Sequence, residues 1–277
     1  MVTAVDHQAN APEMQVEECP LKPNRRHRYR PLSETINPKL YCVEVMAHGP
    51  ARLFVERHHY TGSWPAVRLA VGLYRGRDKK GRGLDLQGVA AFGVPAQAKV
   101  LSTLCAGHAA VELSRVVLHD AVPVNGESWF LSRALKIARR HLGVTAVVSY
   151  SDPQPRTALD GRVVTPGHLG VVYQALGAEY LGCGSPRTLY LDKEGRPLAP
   201  RTMSKILSGR KEAEGAERHL VMRGAPEREV GESPQAWLSR IRRIFRRERN
   251  PGCHRYLWRW DNRGMRIALP LPSSYPR

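Results

Sequence analysis

No stretch of this sequence approaches the roughly 20 consecutive apolar residues that a membrane span requires. The N-terminal MVTAVDHQANAPEMQVEECPLKP lacks the basic start and apolar block of a secretory signal. Cysteine is scarce: Cys19, Cys42, Cys105, Cys183 and Cys253 are odd in number, scattered, and form no CxxC pair. That pattern argues against a disulfide framework or a thiolate zinc site and fits a reducing cytoplasm. Acidic residues are also few, 25 Asp and Glu against 43 Lys and Arg, which leaves a formal charge of +18 over 277 residues. A polyanion is therefore the first partner to consider. What is present is ordinary: 42% apolar and 25% charged residues exclude wholesale disorder and permit one large domain or a core with an appendage. No internal repeat is visible.

The charge is unevenly placed. Residues 201–277 hold 18 basic and 8 acidic side chains, a net of +10 in less than a third of the chain. Residues 1–38 are polar and aperiodic. They read as a flexible extension whose RRHRYR either touches nucleic acid or is simply a solvated linker.

From Lys39 the pattern is dense. LYCVEVM alternates like a strand, and Gly49-Pro50 opens a short helix. Val67–Arg75 and Leu86–Pro95 read as strands around a polar, Gly-rich loop, and Ala109–Asp120 as a further, β-branched strand. SWFLSRALKIARRHLG is an amphipathic helix stopped by Gly143, and Val144–Pro153 is a buried strand. QPRTALDGRVVTP reads as a surface loop, Gly167–Gly177 as a short helix, and AEYLGCG with RTLYLDKEG as a hairpin-like pair. Three strands in succession exclude a regular βαβ series, so the expectation is a mixed, mostly antiparallel α/β domain over residues 39–195, with the 109–118 and 144–150 strands adjacent at its centre. Residues 196–277 read as a basic extension packing on that core. It holds a short helix at TMSKILSGRK, a linker over 212–231, a helix over 235–247 capped by Ser233, and a terminal strand pair with a Pro-rich tail.

Several residues carry candidate chemistry. The 235–247 helix gathers Trp237, Leu238, Ile241, Ile244 and Phe245 on one face and Arg242, Arg243, Arg246 and Arg247 elsewhere, so it either grips phosphates or presents a solvated face. Arg255 belongs to a cluster of cations and aromatics that suits an unpaired base or ordinary hairpin packing. Asp152 in SYSDP ends a buried strand, where α/β proteins bind ligands, though Asp-Pro is also a turn starter. Tyr173 is a proton donor or a core residue, and His168 sits among glycines at a helix N-terminus open to an anion. Of the His58-His59-Tyr60 cluster one histidine is structural. Asn125 is an N-cap, or with Ser128 marks amides able to hold a phosphate. Arg115 in mid-strand must pair internally or clamp a ligand.

Together HHYTGSWP, ELSRVVL…PVNGESWFLSRALK, VVSYSDP, GHLGVVYQALGAEYLG, PRTMSK and HRYLW…YP resemble the phage Mom family of DNA-modification proteins over roughly residues 50–277. The resemblance implies a fold similar to the GNAT N-acyltransferases. It also implies conversion of adenine in phage DNA to an N6-carbamoylmethyl form that blocks restriction enzymes. Double-stranded DNA would be the partner, no membrane would be involved, and the host cytoplasm would be the location. The family's functional positions fall on His59, Tyr60, Arg115, Ser128, Asp152 and Tyr173. The donor stays open: the fold admits acyl-CoA, but the glycine-rich pyrophosphate loop is absent at HDAVPVNGES, and no metal is assigned. Base flipping is implied because adenine N6 lies within the stack, with Tyr60 or Trp129 as a platform. An ordinary acyl-CoA N-acyltransferase and a catalytically silent DNA-binding module are the competing readings.

Overall fold

In the computed structural model of the chain, the described residues are 34–95, 99–105, 109–209, 212–260 and 274–276. The expectation for RRHRYR and for the tail after Trp260 falls mostly outside them. The elements run β1 (Tyr41–Met46), α1 (His48–His58), β2 (Val67–Arg77), β3 (Gly83–Gly93), α2 (Lys99–Leu104), β4 (Ala110–Leu118), α3 (Gly126–Leu142) and β5 (Ala146–Ser151). They continue with β6 (Arg156–Thr157), β7 (Val163–Thr165), α4 (Val171–Ala175), β8 (Glu179–Cys183), β9 (Arg187–Leu191), α5 (Pro200–Ser208), α6 (Ala213–Met222), α7 (Pro234–Ile244), β10 (Arg246–Asn250) and β11 (His254–Arg259).

Seven strands form one sheet in the order β1-β2-β3-β4-β5-β11-β8. Every pairing in it is antiparallel except β4 with β5, which is parallel. The mixed, mostly antiparallel sheet is as expected, with the two apolar strands adjacent at its centre. Strand alternation sends side chains to opposite faces. Leu69, Val71, Leu73 and Phe92 meet Phe130, Leu131, Ala134 and Leu135 of α3 on one face, while Ala70 and Val89 meet Ala51 and Val55 of α1 on the other. Gly143 ends α3 in the left-handed region at φ 63°, the conformation glycine adopts without steric cost.

Five expectations are corrected. Residues 154–166 are not a bare loop: β6 and β7 pair as a small hairpin, with Arg156 drawn inside. The 179–191 region is no hairpin, because β8 pairs with β11 and β9 with β10. The expected linker contains α6, whose Ala216 and Leu220 join Ile206, Trp237, Leu238, Ile241 and Phe245 in a second core, a burial pattern that its charged exterior disguised. The last helix begins as expected, with Ser233 Oγ accepting from the Ala236 N–H at 3.2 Å, but it stops at Ile244, which is exposed. Arg246 and Arg247 therefore lie on a strand. The C-terminal segment also does more than pack on the core, since β11 fills the interior slot between β5 and β8. No helix among the described residues is long and apolar enough to cross a membrane.

Candidate active site at the strand splay

β4 and β5 pair only from Ala110↔Ala146 to Leu113↔Ser149, where Ser149 Oγ donates to the Leu113 carbonyl at 3.0 Å. Beyond that pair β4 stays with β3 while β5 follows β11. A wedge opens between the two strands. Arg115 stands on its β4 side, two residues past Leu113, and Asp152 on its β5 side, three past Ser149.

Arg115 donates to the Ser63 carbonyl at 3.3 Å, the Ser63 hydroxyl at 3.1 Å and the Ser114 carbonyl at 2.6 Å. All three acceptors are neutral, and the guanidinium has no carboxylate within ion-pair distance among the described residues. Burial lowers its pKa, with Tyr60 and Glu112 pulling the other way from a distance. Asp152 is buried and has three partners. One oxygen accepts from Asn250 Nδ2 at 3.0 Å and the Gln154 N–H at 3.2 Å, and the other pairs with Arg156 at 3.1 Å.

His59 closes α1 as its C-cap and stacks on Tyr60, with centroids 4.3 Å apart and planes at 29°. His59 Nδ1 lies 2.9 Å from the Thr61 hydroxyl and accepts from the Thr61 N–H at 3.2 Å. Burial, then the charges of Arg115, His168 and Arg156, hold this imidazole well below its usual pKa. It is neutral at physiological pH. His58 instead packs on Phe54 at 4.5 Å, the structural member of the pair.

Tyr173 lies near the wedge, edge-on to Tyr256 and Trp258 with centroids 5.4 Å away in both cases. Burial pushes its phenol well up, so it stays protonated. Gly170 permits this approach: a Cβ there would sit 2.7 Å from the Tyr256 ring and 2.9 Å from that of Tyr173. His168 donates its backbone N–H to the Asp152 carbonyl at 2.8 Å, and burial lowers its pKa.

The structure thus brings His59, Tyr60, Arg115, Asp152, His168 and Tyr173 to one crevice. It leaves others apart. Asn125 occupies the N-cap position of α3, but in the left-handed region at φ 67° and without a side-chain capping bond, and Ser128 Oγ turns back to the Asn125 carbonyl at 3.1 Å. Their loop does not fit a pyrophosphate. The Ala121, Val122, Val124 and Gly126 amides are spent on His119, Glu34 and Pro123, residues 34–36 pair along it, and Asp120 and Glu127 add negative charge. Acyl-CoA held in that way is not accommodated. Neither expected aromatic platform is bare: Tyr60 is stacked on His59, and Arg133 lies 3.8 Å over the Trp129 ring. Among the described residues no group of three His, Cys, Asp or Glu gathers to hold a metal.

A model of the Mom protein family matches residues 40–233, well over half of the chain. The chain belongs to the Mom protein family. A curated relative, the methylcarbamoylase Mom of Escherichia phage Mu, is 29% identical over 195 residues, covering 68% of this chain and 69% of that protein. Among solved structures, a tandem GNAT protein from the clavulanic acid biosynthesis pathway matches at 13% identity and a TM-score of 0.33, over 66% of this chain and 65% of that one, just under two thirds of its length. A polyamine N-acetyltransferase of Drosophila melanogaster matches at 9% identity and a TM-score of 0.36, over 79% of this chain and 100% of that one. At such scores the strand order, not the likeness, defines the fold.

Within this Mom-family chain, sequence reasoning missed Arg156, Asn250 and Ser149. Arg156 was hidden by a hydrophilic, turn-rich segment. Its one signal was a cation four residues after Asp152. Among the expected phosphate-binding arginines, Arg255 spends its guanidinium on the carbonyls of Leu181, Gly182 and Cys183, and Arg246 on Glu248 and Thr157. Both are therefore tied into the fold. Arg242 is exposed but 5.7 Å from the Tyr190 ring centroid, while Arg243 and Arg247 are exposed with no ion pair among the described residues.

Proposed function

We propose that this protein is a transferase of the Mom type that modifies adenine in double-stranded phage DNA at N6 with a carbamoylmethyl-type group, protecting that DNA from host restriction. One observation carries the reading: in a Mom-family chain, a partly buried Arg115 without a carboxylate partner lies on one strand of a splay whose other strand ends at the buried Asp152. A buried cation without an anion is costly, and a ligand that supplies the anion removes that cost.

Adenine N6 is a weak nucleophile because its lone pair is delocalised into the ring. Asp152 has acceptor capacity for about four hydrogen bonds and uses three, which leaves one direction for the amine. There it orients N6 and accepts its proton as the N–C bond forms. Arg115 stabilises negative charge on the donor, a carboxylate or a phosphate. Tyr173, kept protonated by burial, protonates the leaving group. Neutral His59, with Tyr60 stacked on it, shapes the base pocket. Since the acyl-CoA cradle does not fit, the donor is of another class. Exposed Arg242, Arg243 and Arg247 hold the DNA backbone, and the target base is extruded to reach the wedge.

Nucleoside mass spectrometry of DNA from cells expressing the protein in its phage background tests this. A new adenosine-derived nucleoside, absent with Arg115→Met, is expected. Unmodified DNA from the wild type would overturn it.

A further inference from the structure

Arg156 belongs to the hairpin whose sequence reads as a surface loop, yet its side chain is only 2% exposed. Three observations place it at the wedge. Its Nη1 lies 3.1 Å from Asp152 Oδ2, an ion pair in which the carboxylate is 8% exposed. Its Cζ stands 5.3 Å from the Tyr60 ring centroid, so one guanidinium spans the carboxylate and the aromatic beside it. Its Nε is buried without a hydrogen-bond partner.

The hairpin is itself braced so that Arg156 cannot swing out. Arg246 Nη2 donates to the Thr157 carbonyl at 2.6 Å, and Gln154 Nε2 donates to Glu248 at 3.3 Å, both partners lying on β10. Gly195 packs so closely that a Cβ would meet the Thr157 carbonyl oxygen at 2.7 Å. The groups around the crevice are Arg115 from β4, His59 and Tyr60 from the α1–β2 connection, His168 from the turn before α4, and Cys253 from the turn before β11. Among the described residues Arg156 alone is in ion-pair contact with Asp152.

We infer that Arg156 is a positioning residue of the site: it fixes the orientation of the Asp152 carboxylate and the placement of the Tyr60 ring, so that the β6–β7 hairpin is part of the catalytic apparatus. This rests on the reading of Asp152 as the base that accepts the N6 proton. A single guanidinium bridging a carboxylate and an aromatic face does what an ammonium cannot, because its plane can lie along the ring while one edge points at the carboxylate.

The test compares Arg156→Lys and Arg156→Met with the wild type by three measurements on the full chain: modified adenine in cellular DNA, affinity for a DNA duplex, and titration of the His59 ring by NMR. Modification should fall in the order wild type, Lys, Met, with the Met variant at least about tenfold down and duplex affinity within about twofold. The His59 midpoint should rise in the Met variant, because one of the charges holding it down is gone. Arg156→Met leaves a buried carboxylate short of its cation and can fail to accumulate. Arg156→Lys then decides, since it keeps the charge: severalfold reduced modification supports the inference, and wild-type modification overturns it. In folded variants, equal loss for Lys and Met with an unmoved His59 midpoint also overturns it, because a merely structural arginine behaves that way. Unmodified DNA from the wild type would instead sink the functional reading beneath it.

Discussion

Arg115 at the wedge is partly buried, and Arg223 beside the C-terminal core is buried. Arg223 lies 2.7 Å from Asp192, which also faces Arg196 at 3.4 Å, and it donates to the carbonyls of Arg196 and Pro197. Arg115 has only the Ser63 and Ser114 acceptors among the described residues. The C-terminal core balances its cations; Arg240 with Glu229 and Glu232, and Arg228 with Glu217, repeat the pattern. In the wedge Arg115 lacks such a partner. A charge that the fold leaves unmatched is a charge available to a ligand, so the basic character of this protein has two origins: arginines that build it and arginines that wait.

The sharpest test of that division is at the wedge. Arg115→Met and Tyr173→Phe should each lower adenine modification by about 10²- to 10⁴-fold while leaving the melting temperature near wild type. A comparable loss of folding stability would show that Arg115 is a builder after all. Arg223→Met should do the opposite, costing about 3 kcal/mol in denaturant unfolding because Asp192 is left buried with one more distant arginine. A loss of modification without a loss of stability would erase the contrast. Smaller effects should come from the exposed cations. Arg243→Gln with Arg247→Gln should reduce the log–log salt slope of duplex binding by about 0.9 for each phosphate no longer neutralised, while Arg246→Gln and Arg255→Gln leave it unchanged. If the last two carry the slope instead, phosphates bind across the strands.

The smallest effect concerns pH. His59 and His168 have pKa values lowered in the folded state, chiefly by burial, so the unfolded chain binds more protons near and below the usual value of 6.5. Their contribution is present above that value and lost as pH falls through it. The melting temperature should therefore drop between pH 7.5 and 5.5, by roughly 2 to 4 °C in thermal unfolding followed by circular dichroism. Replacing His59 with Gln should flatten the drop.

The sheet was legible wherever burial is one-sided or complete. β4 and β5 announce themselves by β-branched runs, and α3 by its apolar stripe and terminal glycine. Family blocks located Arg115, Asp152 and Tyr173, and the structure brings them together at the wedge. Pairing partners were not legible, because β8 and β9 are short and alternate equally well in either arrangement. Nor was Arg156, since nothing local distinguishes an arginine that folds inward over Tyr60 from one in a polar turn. Arg246 and Arg247 were misplaced because the helical spacing of their neighbours continues past Ile244, where the burial of Phe245 and the pairing with β9 redirect the backbone.

The position of β11 has a consequence in time. It pairs with β5 on one side and β8 on the other, yet its residues, 254–259, leave the ribosome after the other described strands of the sheet. Until then the nascent chain holds two facing strand edges with unpaired backbone groups, one of them next to Asp152, whose partner Asn250 arrives only just ahead of β11. Synthesis up to about residue 250 therefore yields a chain that already carries its basic helices but not a finished wedge. The basic helices would precede the completed wedge, and β11 acts as the clasp that closes the sheet.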